Sequence, residues 1–346
     1  MSRPLVPTIA LLVCIAASAG YADPPLLSQK QAENLVGVWA QVDCLAKPAL
    51  SAFHLRFNRG TLEGLVLSEE WASSSRQVKV TRWTRAGSAE PKIEILVWGS
   101  RAPEVKWTGR LHHGDLLLRL ETSKAASENL RFRRVARDLK LAAGVAGTWS
   151  TWSVYPQFEP TAGAFAELND RLTADAVAAH HGMEDDLKGI ERPSEYEHLL
   201  PFSESIEVEV ASFRPEAVSL ATIWHAYTGG AHGQNDFETS TYTLRAGHPV
   251  QVDLRECLLP GSEPLAKLYK LARRAAAESP EELAGRFDQG SDQILGSFLL
   301  QSDGGIVLVI GGGPEVAPWA FVTLSSRNLG PLLDPKGPLG FLVRTE

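Results

Sequence analysis

The stretch that decides the fold is Trp224–Glu238, which reads WHAYTGGAHGQNDFE. The residues before it, Val218–Tyr227, are β-prone, and Phe237–Leu244 alternates Thr with aromatic or charged residues at a period of two. Ala246-Gly247 then turns the chain into a third extended run, His248–Leu254. This order predicts a β-meander. Its first connection is dense in glycine, which reaches positive φ, so this loop can fold tightly and let another chain approach its backbone.

The segment Tyr227–Gly233 (YTGGAHG) resembles the RsiV-like domain, as do the strand after it and the VDL at Val252–Leu254. The resemblance runs from about Trp149 to the C-terminus. The RsiV-like domain is the extracytoplasmic part of lysozyme-sensing anti-sigma factors. It is also the non-catalytic N-terminal part of PdaC-type peptidoglycan deacetylases.

The resemblance implies a binding module whose partner is a lysozyme-like protein or a peptidoglycan fragment. The residues that it implies for contact with this ligand are Tyr227, Thr228, Gly229, Gly230, Ala231, His232 and Gly233. The deacetylases carry a separate metal-dependent catalytic domain after this module, and no such segment follows it within these 346 residues. We therefore expect a protein without enzymatic activity, cofactor or metal.

Residues 1–22 have the order of a secretory signal peptide: a basic residue, Arg3, an apolar run over Ile9–Ala19, and small residues up to Ala22. The apolar run is shorter than the ~20 residues that a membrane span needs. We expect cleavage after Ala22 or Ala19, and a soluble periplasmic or secreted protein. Lipoprotein processing at Cys14 is the alternative, although Val13 is large for the position before a lipidated cysteine.

The composition is that of a globular protein, with 44% hydrophobic and 22% charged residues. Residues 1–146 hold 20 Lys and Arg against 13 Asp and Glu, or +7, and residues 147–346 hold 14 against 28, or −14. This asymmetry predicts two domains, at residues 30–141 and 147–346, with a boundary near Ala142–Gly147. An acidic surface would steer a cationic protein, and a basic surface suits anionic wall or lipid groups. The alternative explanation of the asymmetry is that the two domains attract each other. We expect no nucleic-acid partner and no membrane span.

The first domain is predicted to be all-β, because short β-prone runs follow one another at hairpin distances and no stretch has a helical period. About eight antiparallel strands form a small barrel or sandwich. The predicted strands are Val36–Val42, Ala52–Asn58, Thr61–Trp71, Gln77–Thr84, Lys92–Trp98, Glu104–Leu111, Asp115–Glu121 and Leu130–Val135.

Two features of this domain have more than one interpretation. Gly37-Val38-Trp39 is similar to the start of lipocalin-type barrels, which favours a barrel that holds one ligand. A Trp that closes one end of a filled barrel explains the same motif. The Arg-rich run Arg131–Arg137 is either an anion-binding patch or the solvated face of a strand.

The second domain is predicted to be α+β, a mostly antiparallel sheet with helices on one face. Besides the meander, strands are predicted at Ser205–Phe213, Ser297–Gln301, Ile306–Ile310 and Trp319–Leu324. Helices are predicted at Thr161–His180, Glu263–Glu278 and Pro280–Phe287. On the first of these strands, Glu207 and Glu209 are expected on a solvated or partner-facing side.

Few sequence motifs indicate catalysis, nucleotide binding or metal binding. GxSxG and HExxH are absent, and Ile306–Gly313 lacks the Lys-Ser or Lys-Thr of a phosphate loop. His225, His232 and Asp236 lie close in sequence, and a metal site would need them to converge, with His180-His181 as further ligands. The simpler interpretation is that His232 bonds the loop backbone or projects towards a partner.

Two cysteines, Cys44 and Cys257, remain after the signal peptide, and an exported protein can join them in a disulfide. Two separate buried thiols are the alternative. Three functions stay open: a binding module, a structural envelope protein whose glycine loop is only a hairpin, and a hydrolase of wall polymers. In the hydrolase, His232 would be the general base beside Asp236 or Glu238.

Overall fold

The first eight strands form an antiparallel barrel, which is closed by the pairing of β1 with β8. The computed structural model describes residues 35–41, 52–58, 61–66, 76–84, 92–99, 102–112, 115–120, 129–145, 148–188, 190, 201–228, 233–277, 297–301, 304–310 and 320–343. The barrel strands are β1 (Gly37–Gln41), β2 (Ala52–Asn58), β3 (Thr61–Val66), β4 (Arg76–Thr84), β5 (Lys92–Gly99), β6 (Ala102–His112), β7 (Asp115–Leu120) and β8 (Asn129–Val145). All eight predicted strands of this region are present and form a barrel, but β8 runs to Val145, ten residues beyond the predicted end at Val135. The predicted strand residues 42, 67–71 and 121 lie outside the described ranges.

Apolar side chains at alternate positions pack inside the barrel. Phe53 and Leu55 of β2, Leu116 and Leu118 of β7, and Phe132 of β8 are each at most 1% exposed. The rings of Phe53 and Phe132 lie 5.1 Å apart, centroid to centroid. A strand places every second side chain on the same face, so the period-two pattern of the sequence becomes the barrel core.

Trp39 belongs to this core. Its side chain is 1% exposed, and its indole Nε1 donates to the carbonyl oxygen of Leu35 at 2.8 Å. The guanidinium of Arg134 lies over the ring, 5.9 Å from the centroid. Gly37 has a φ of 128°, and a Cβ there would clash with the carbonyl oxygen of Ala136. Glycine therefore permits the approach of β1 to β8 that closes the barrel.

The long strand β8 leaves the barrel and continues into a second sheet region. The strand order then runs unbroken from β1 to β13, with β9 and β10 parallel and the other neighbours antiparallel. These strands are β9 (Trp149–Phe158), β10 (Phe202–Phe213), β11 (Ala217–Tyr227), β12 (Gln234–Arg245) and β13 (His248–Gln251). The predicted meander is β11–β13. Strand β8 ends at Val145, inside the predicted boundary segment, so one sheet joins the two regions.

Helix α1 (Leu168–Lys188) covers one face of β9–β12. A 3-10 helix at Pro160–Glu167 precedes it, where the sequence predicted one continuous helix. Gly163, at a φ of 64°, interrupts the helical conformation inside that 3-10 segment. Phe165 and Leu172 pack from this layer onto the sheet.

A second sheet covers the opposite face, where the sequence had predicted a single sheet with helices on one face. It consists of three antiparallel strands, β14 (Phe298–Leu300), β15 (Ile306–Ile310) and β16 (Ala320–Leu324). Leu299 and Val307 face the large sheet, whereas Phe298 and Ile306 face helix α3 (Ser262–Ala277). The short strands are apolar on both sides because they separate two cores.

The remaining helices of the described ranges are short and close the C-terminal core. They are α2 (Leu254–Cys257) and α4 (Ser326–Leu329), with 3-10 turns at Gly330–Leu332 and Gly340–Leu342. Within the described ranges, no helix has both the length and the apolar character to cross a membrane. The predicted signal peptide, Cys44 and the predicted helix Pro280–Phe287 lie outside those ranges.

Candidate functional site

The predicted binding loop lies at the tip of the β11–β12 hairpin. The two strands pair without interruption from Ala217↔Thr243 to Ala226↔Gln234. Of the seven predicted loop residues, Tyr227, Thr228 and Gly233 are described, and Gly229, Gly230, Ala231 and His232 lie outside the described residues. Thr228 and Gly233 are exposed. Both ends of the loop therefore lie at the protein surface.

The histidine next to this loop packs against its backbone. A Cβ placed on Gly233 would lie 2.8 Å from Nε2 of His225 and 3.1 Å from the carbonyl oxygen of Ala226. The sequence predicted that the loop glycines let another chain approach the backbone, whereas the group that lies close to Gly233 is the imidazole of His225 from the same hairpin. His225 is half-buried. Its ring thus lies against Gly233, the first described residue after the loop.

The strand registers place polar and aromatic side chains side by side on the sheet face of His225. Trp152 of β9 is level with Ser205 of β10, and Ser205 is level with His225 of β11. His225 is in turn level with Asn235 of β12. The indole Nε1 of Trp152 donates to Glu207 Oε1 at 3.4 Å. We call Trp152, Ser205, Glu207, His225 and Asn235 the polar strip. It leads from the loop towards the barrel.

The strip ends at a cluster of charges where the barrel meets the large sheet. Arg56 of β2 pairs with the carboxylate of Glu209, and its guanidinium lies 3.7 Å from Glu207 and 3.9 Å from Asp138. His54 Nε2 lies 2.7 Å from Asp138 Oδ2. We call these five residues the junction cluster. Its two basic side chains come from the barrel strand β2. Its three carboxylates come from β10 and from the part of β8 that pairs with β9 beyond the barrel, so the cluster connects the barrel to the large sheet.

Burial raises the pKa of the carboxylates on both sheet faces, but their partners make the net shifts opposite. In the junction cluster, burial would raise the pKa of Asp138, but the hydrogen bond and charge of His54, with the charge of Arg56, hold it below its usual value. On the α1 face, burial and the charge of Asp186 raise the pKa of Glu204, against the hydrogen bond that Trp224 Nε1 donates at 2.8 Å. Glu204 is 8% exposed. It therefore binds a proton more readily than a surface glutamate.

The alternative metal site is not assembled by the residues that are described. Asp236 is level with Trp224, and His225 with Asn235, so the side chains of His225 and Asp236 point to opposite faces of the sheet. His180 is buried on α1 and His181 is exposed. Within the described ranges, no three His, Cys, Asp or Glu residues are grouped so that they could hold a metal ion.

Sequence reasoning missed the junction cluster and misplaced one of its members. Glu209 was expected on a solvated or partner-facing side, but it is buried beneath Arg56 of the same chain, with 7% of its side chain exposed. A signal was present in β2. Because Phe53 and Leu55 face inward, His54 and Arg56 must face outward, and two such side chains in a short strand need partners outside the barrel.

Comparisons with known proteins give a distant likeness in structure. No family model matches the sequence, and no curated protein matches it significantly. The chain is similar to the crystal structure of a DUF3298 family protein from Pseudomonas aeruginosa PAO1, with 17% identity and a TM-score of 0.41 over 59% of this chain and 94% of that chain. It is also similar to a DUF3298 family member from Bacteroides fragilis NCTC 9343, with 13% identity and a TM-score of 0.36 over 61% and 96%. At these values neither likeness assigns this chain to a family or gives it a function.

Proposed function

We propose that the chain is an exported binding module of the cell envelope, without catalytic activity, that recognises a lysozyme-like protein through the Tyr227–Gly233 loop. A peptidoglycan fragment is the alternative ligand. The observation that carries the proposal is the position of the loop. It lies at a hairpin tip with exposed ends, beside a half-buried imidazole and a strip of polar side chains.

The charge around the hairpin favours a cationic protein over a glycan. Gln234, Asn235, Asp236 and Glu238 are all exposed at the start of β12. They belong to the half of the chain that carries −14. An acidic surface raises the rate at which a basic partner docks, over the ~8 Å range of fields at physiological salt. Asp236 and Glu238 point to the sheet face opposite His225, so they would attract such a partner through their field while the loop makes the contact.

Calorimetry with a c-type lysozyme and with purified muropeptides tests the proposal. We expect lysozyme to bind, and the Asp236→Asn/Glu238→Gln double variant to bind about tenfold more weakly, with a smaller dependence on salt. Asp175→Asn/Glu263→Gln is the matched control, because it removes two exposed carboxylates from helices away from the hairpin. If lysozyme and muropeptides both fail to bind the folded protein, the proposal is wrong. If only muropeptides bind, the ligand is the glycan.

The absence of catalysis and the export of the chain are parts of the same proposal. Incubation with peptidoglycan is expected to release no reducing ends or peptides. A release that is lost in His232→Ala would instead establish the hydrolase. Cell fractionation and N-terminal sequencing of the mature protein test export, and we expect the first residue to be Asp23 if cleavage follows Ala22.

A further inference from the structure

Beyond the barrel, strand β8 has one edge that pairs with no described strand. Strand β1 pairs with β8 only from Phe132 to Ala136. From Ala136 to Val145, β9 pairs with the other edge of β8 without a bulge. Within the described ranges, no strand lies alongside residues 138–145 on the side where β1 ends. We call residues 138–145 the free edge.

The contacts of β8 show which backbone groups of the free edge point away from β9. On the β9 side, the carbonyl oxygen of Val135 accepts from the backbone nitrogen of Glu159 at 2.8 Å. On the β1 side, the carbonyl oxygen of Ala136 faces Gly37. Successive residues of a strand direct their backbone groups to opposite sides, so the even-numbered residues after Ala136 also face away from β9. These residues are Asp138, Lys140, Ala142 and Gly144.

Two exposed apolar side chains lie near the two ends of the free edge. Leu139 is 38% exposed and Val145 is 53% exposed. Their partners on β9 pack against helix α1, so both side chains lie on the α1 face of the sheet. Between them on this face, Leu141 and Ala143 are half-buried. A long, exposed and largely apolar edge is the kind of strand that pairs with a further strand.

We propose that two copies of the chain pair with each other, antiparallel, through the free edge, about a twofold axis at Ala142. Leu139 and Val145 are equally far from Ala142 in the sequence, so Leu139 of each copy lies opposite Val145 of the other. Ala142 lies opposite Ala142 of the second copy, and Lys140 lies opposite Gly144. Such a twofold contact uses the same residues on both copies.

The backbone pattern and the side-chain pattern agree on this register. The pairs formed by Lys140, Ala142 and Gly144 join backbone groups that point away from β9, and they exchange about six hydrogen bonds. Leu139 and Val145 then form a pair without hydrogen bonds, the position at which opposite side chains are closest. Each copy thus covers the exposed apolar side chains of the other.

The charge of the free edge is compatible with a second copy. Lysine on an edge strand usually prevents pairing, and Lys140 is exposed. Opposite Gly144, however, Lys140 meets no side chain. The two lysines are then about 13 Å apart along the strands, beyond the ~8 Å screening length. A register centred on Lys140 would instead set them opposite each other, so electrostatics favours the register centred on Ala142.

The proposed contact is small. Seven paired residues form a contact about 24 Å long and one strand wide, which buries less than the ~800 Å² per partner of a standard interface. We therefore expect a reversible dimer that dissociates on dilution.

Sedimentation velocity of the purified mature protein over a range of concentrations tests the pairing. We expect the fraction of dimer to rise with concentration. Leu139→Lys should weaken the association about tenfold, because a twofold contact contains the substitution twice. Leu259→Lys is the matched control and should leave the association unchanged, since Leu259 is also 38% exposed but lies outside β8.

A pair of opposite charges tests the register. Val145→Glu alone should also weaken the association. Leu139→Lys/Val145→Glu should recover most of it, because the new lysine of one copy lies opposite the new glutamate of the other. A double variant that associates no better than the two single variants would show that this register is wrong.

Oxidative cross-linking tests the position of the axis. Ala142→Cys should form a disulfide-linked dimer, because the Cα atoms of opposite hydrogen-bonded residues are ~5.5 Å apart, within the range of disulfides. Lys140→Cys is the control, since it keeps the same native cysteines but lies about 13 Å from its counterpart.

A protein that stays monomeric at every concentration would overturn the proposal. So would equal yields of cross-linked dimer from the two cysteine variants, or an equal loss of association in Leu259→Lys. The lysozyme experiment is independent of these results, because the free edge and the β11–β12 hairpin share no residue.

Discussion

The Nε2 atom of His54 lies 2.7 Å from Oδ2 of Asp138, although the two residues are 84 positions apart. Their side chains are 7% and 15% exposed. His54 lies on a barrel strand, and Asp138 lies on the part of β8 that pairs with β9. The pair is thus one of the contacts that hold the barrel against the large sheet.

This pair makes the free energy of unfolding depend on pH in the acid range. Because the pKa of Asp138 is lowered in the folded state, its carboxylate stabilises the fold above the unfolded pKa of ~3.9, and the contribution is lost as the pH falls through the folded pKa. We expect Asp138→Asn to lower the free energy of unfolding by about 1–3 kcal/mol near neutral pH. The difference from wild type should shrink below about pH 4.

Urea unfolding of both proteins at several pH values measures this difference. Asp175→Asn is the control, because that side chain is 68% exposed and its Arg171 partner is 3.6 Å away. Its effect should stay under ~0.5 kcal/mol. A difference for Asp138→Asn that does not change between neutral and acid pH would contradict the assignment.

Arg56 provides the second connection, to Glu209 on β10. Replacing Arg56 by Met leaves this carboxylate, 7% exposed, without its cation. A fully buried pair broken in this way costs about 3–5 kcal/mol, and the 37% exposure of Arg56 reduces our expectation to about 2–3 kcal/mol. Glu207→Gln should cost less than ~1 kcal/mol, since its side chain is 33% exposed and 3.7 Å from Arg56.

A double-mutant cycle tests the pairing directly. Arg56→Met/Glu209→Gln should be more stable than Arg56→Met alone, because the neutral amide is easier to bury than the carboxylate. Chemical denaturation of the four proteins gives the coupling energy. Additive effects of the two single variants would show that the contact contributes nothing.

Gly233→Ala should displace the ring of His225 while changing the stability of the fold only slightly. The added Cβ meets Nε2 of His225 at 2.8 Å, where the ring can move aside, and the backbone carbonyl oxygen of Ala226 at 3.1 Å, where a small shift is needed. We therefore expect a loss of stability below ~1 kcal/mol together with a displaced His225 ring. Imidazole chemical shifts report the displacement. Unchanged shifts would mean that the ring does not lie against Gly233.

Much of the fold was predictable because single strands carry their own pattern. Phe53, Leu55, Leu116 and Leu118 alternate with polar residues, and this periodicity located the barrel strands and their inward faces. The same periodicity did not predict that β14–β16 form a sheet of their own. Leu299 and Val307 are apolar like Phe298 and Ile306, and a sequence does not indicate which of two cores each residue joins.

The candidate site was predictable only where it is local. The glycine-rich turn of the hairpin is contiguous, so the sequence located it between Tyr227 and Gly233. The polar strip and the junction cluster depend on registers between strands far apart in the chain, such as Trp152 level with Ser205. No pattern within one strand indicates such a register, because it is set by how the whole sheet assembles.

The reactivity of Cys257 reports how readily the C-terminal core opens to solvent. The thiol is buried, and it donates to the carbonyl oxygen of Asp253 at 3.4 Å. Burial, with the charges of Glu256 and Asp253, raises its pKa to about 12. Since the thiolate is the reactive form, we expect iodoacetamide to modify Cys257 far more slowly in the folded protein than in denaturant. Comparable rates would mean that the core around α2 opens readily.

The same experiment tests the predicted Cys44–Cys257 disulfide, because Cys44 lies outside the described residues and the pairing stays a prediction. Protein isolated without reductant and alkylated in denaturant should be modified at both cysteines only after reduction if the bridge forms. Alkylation of both without a reductant would establish two separate thiols. Mass spectrometry of the peptides distinguishes these results, and Cys44→Ser is the control, because it leaves Cys257 free whichever result holds.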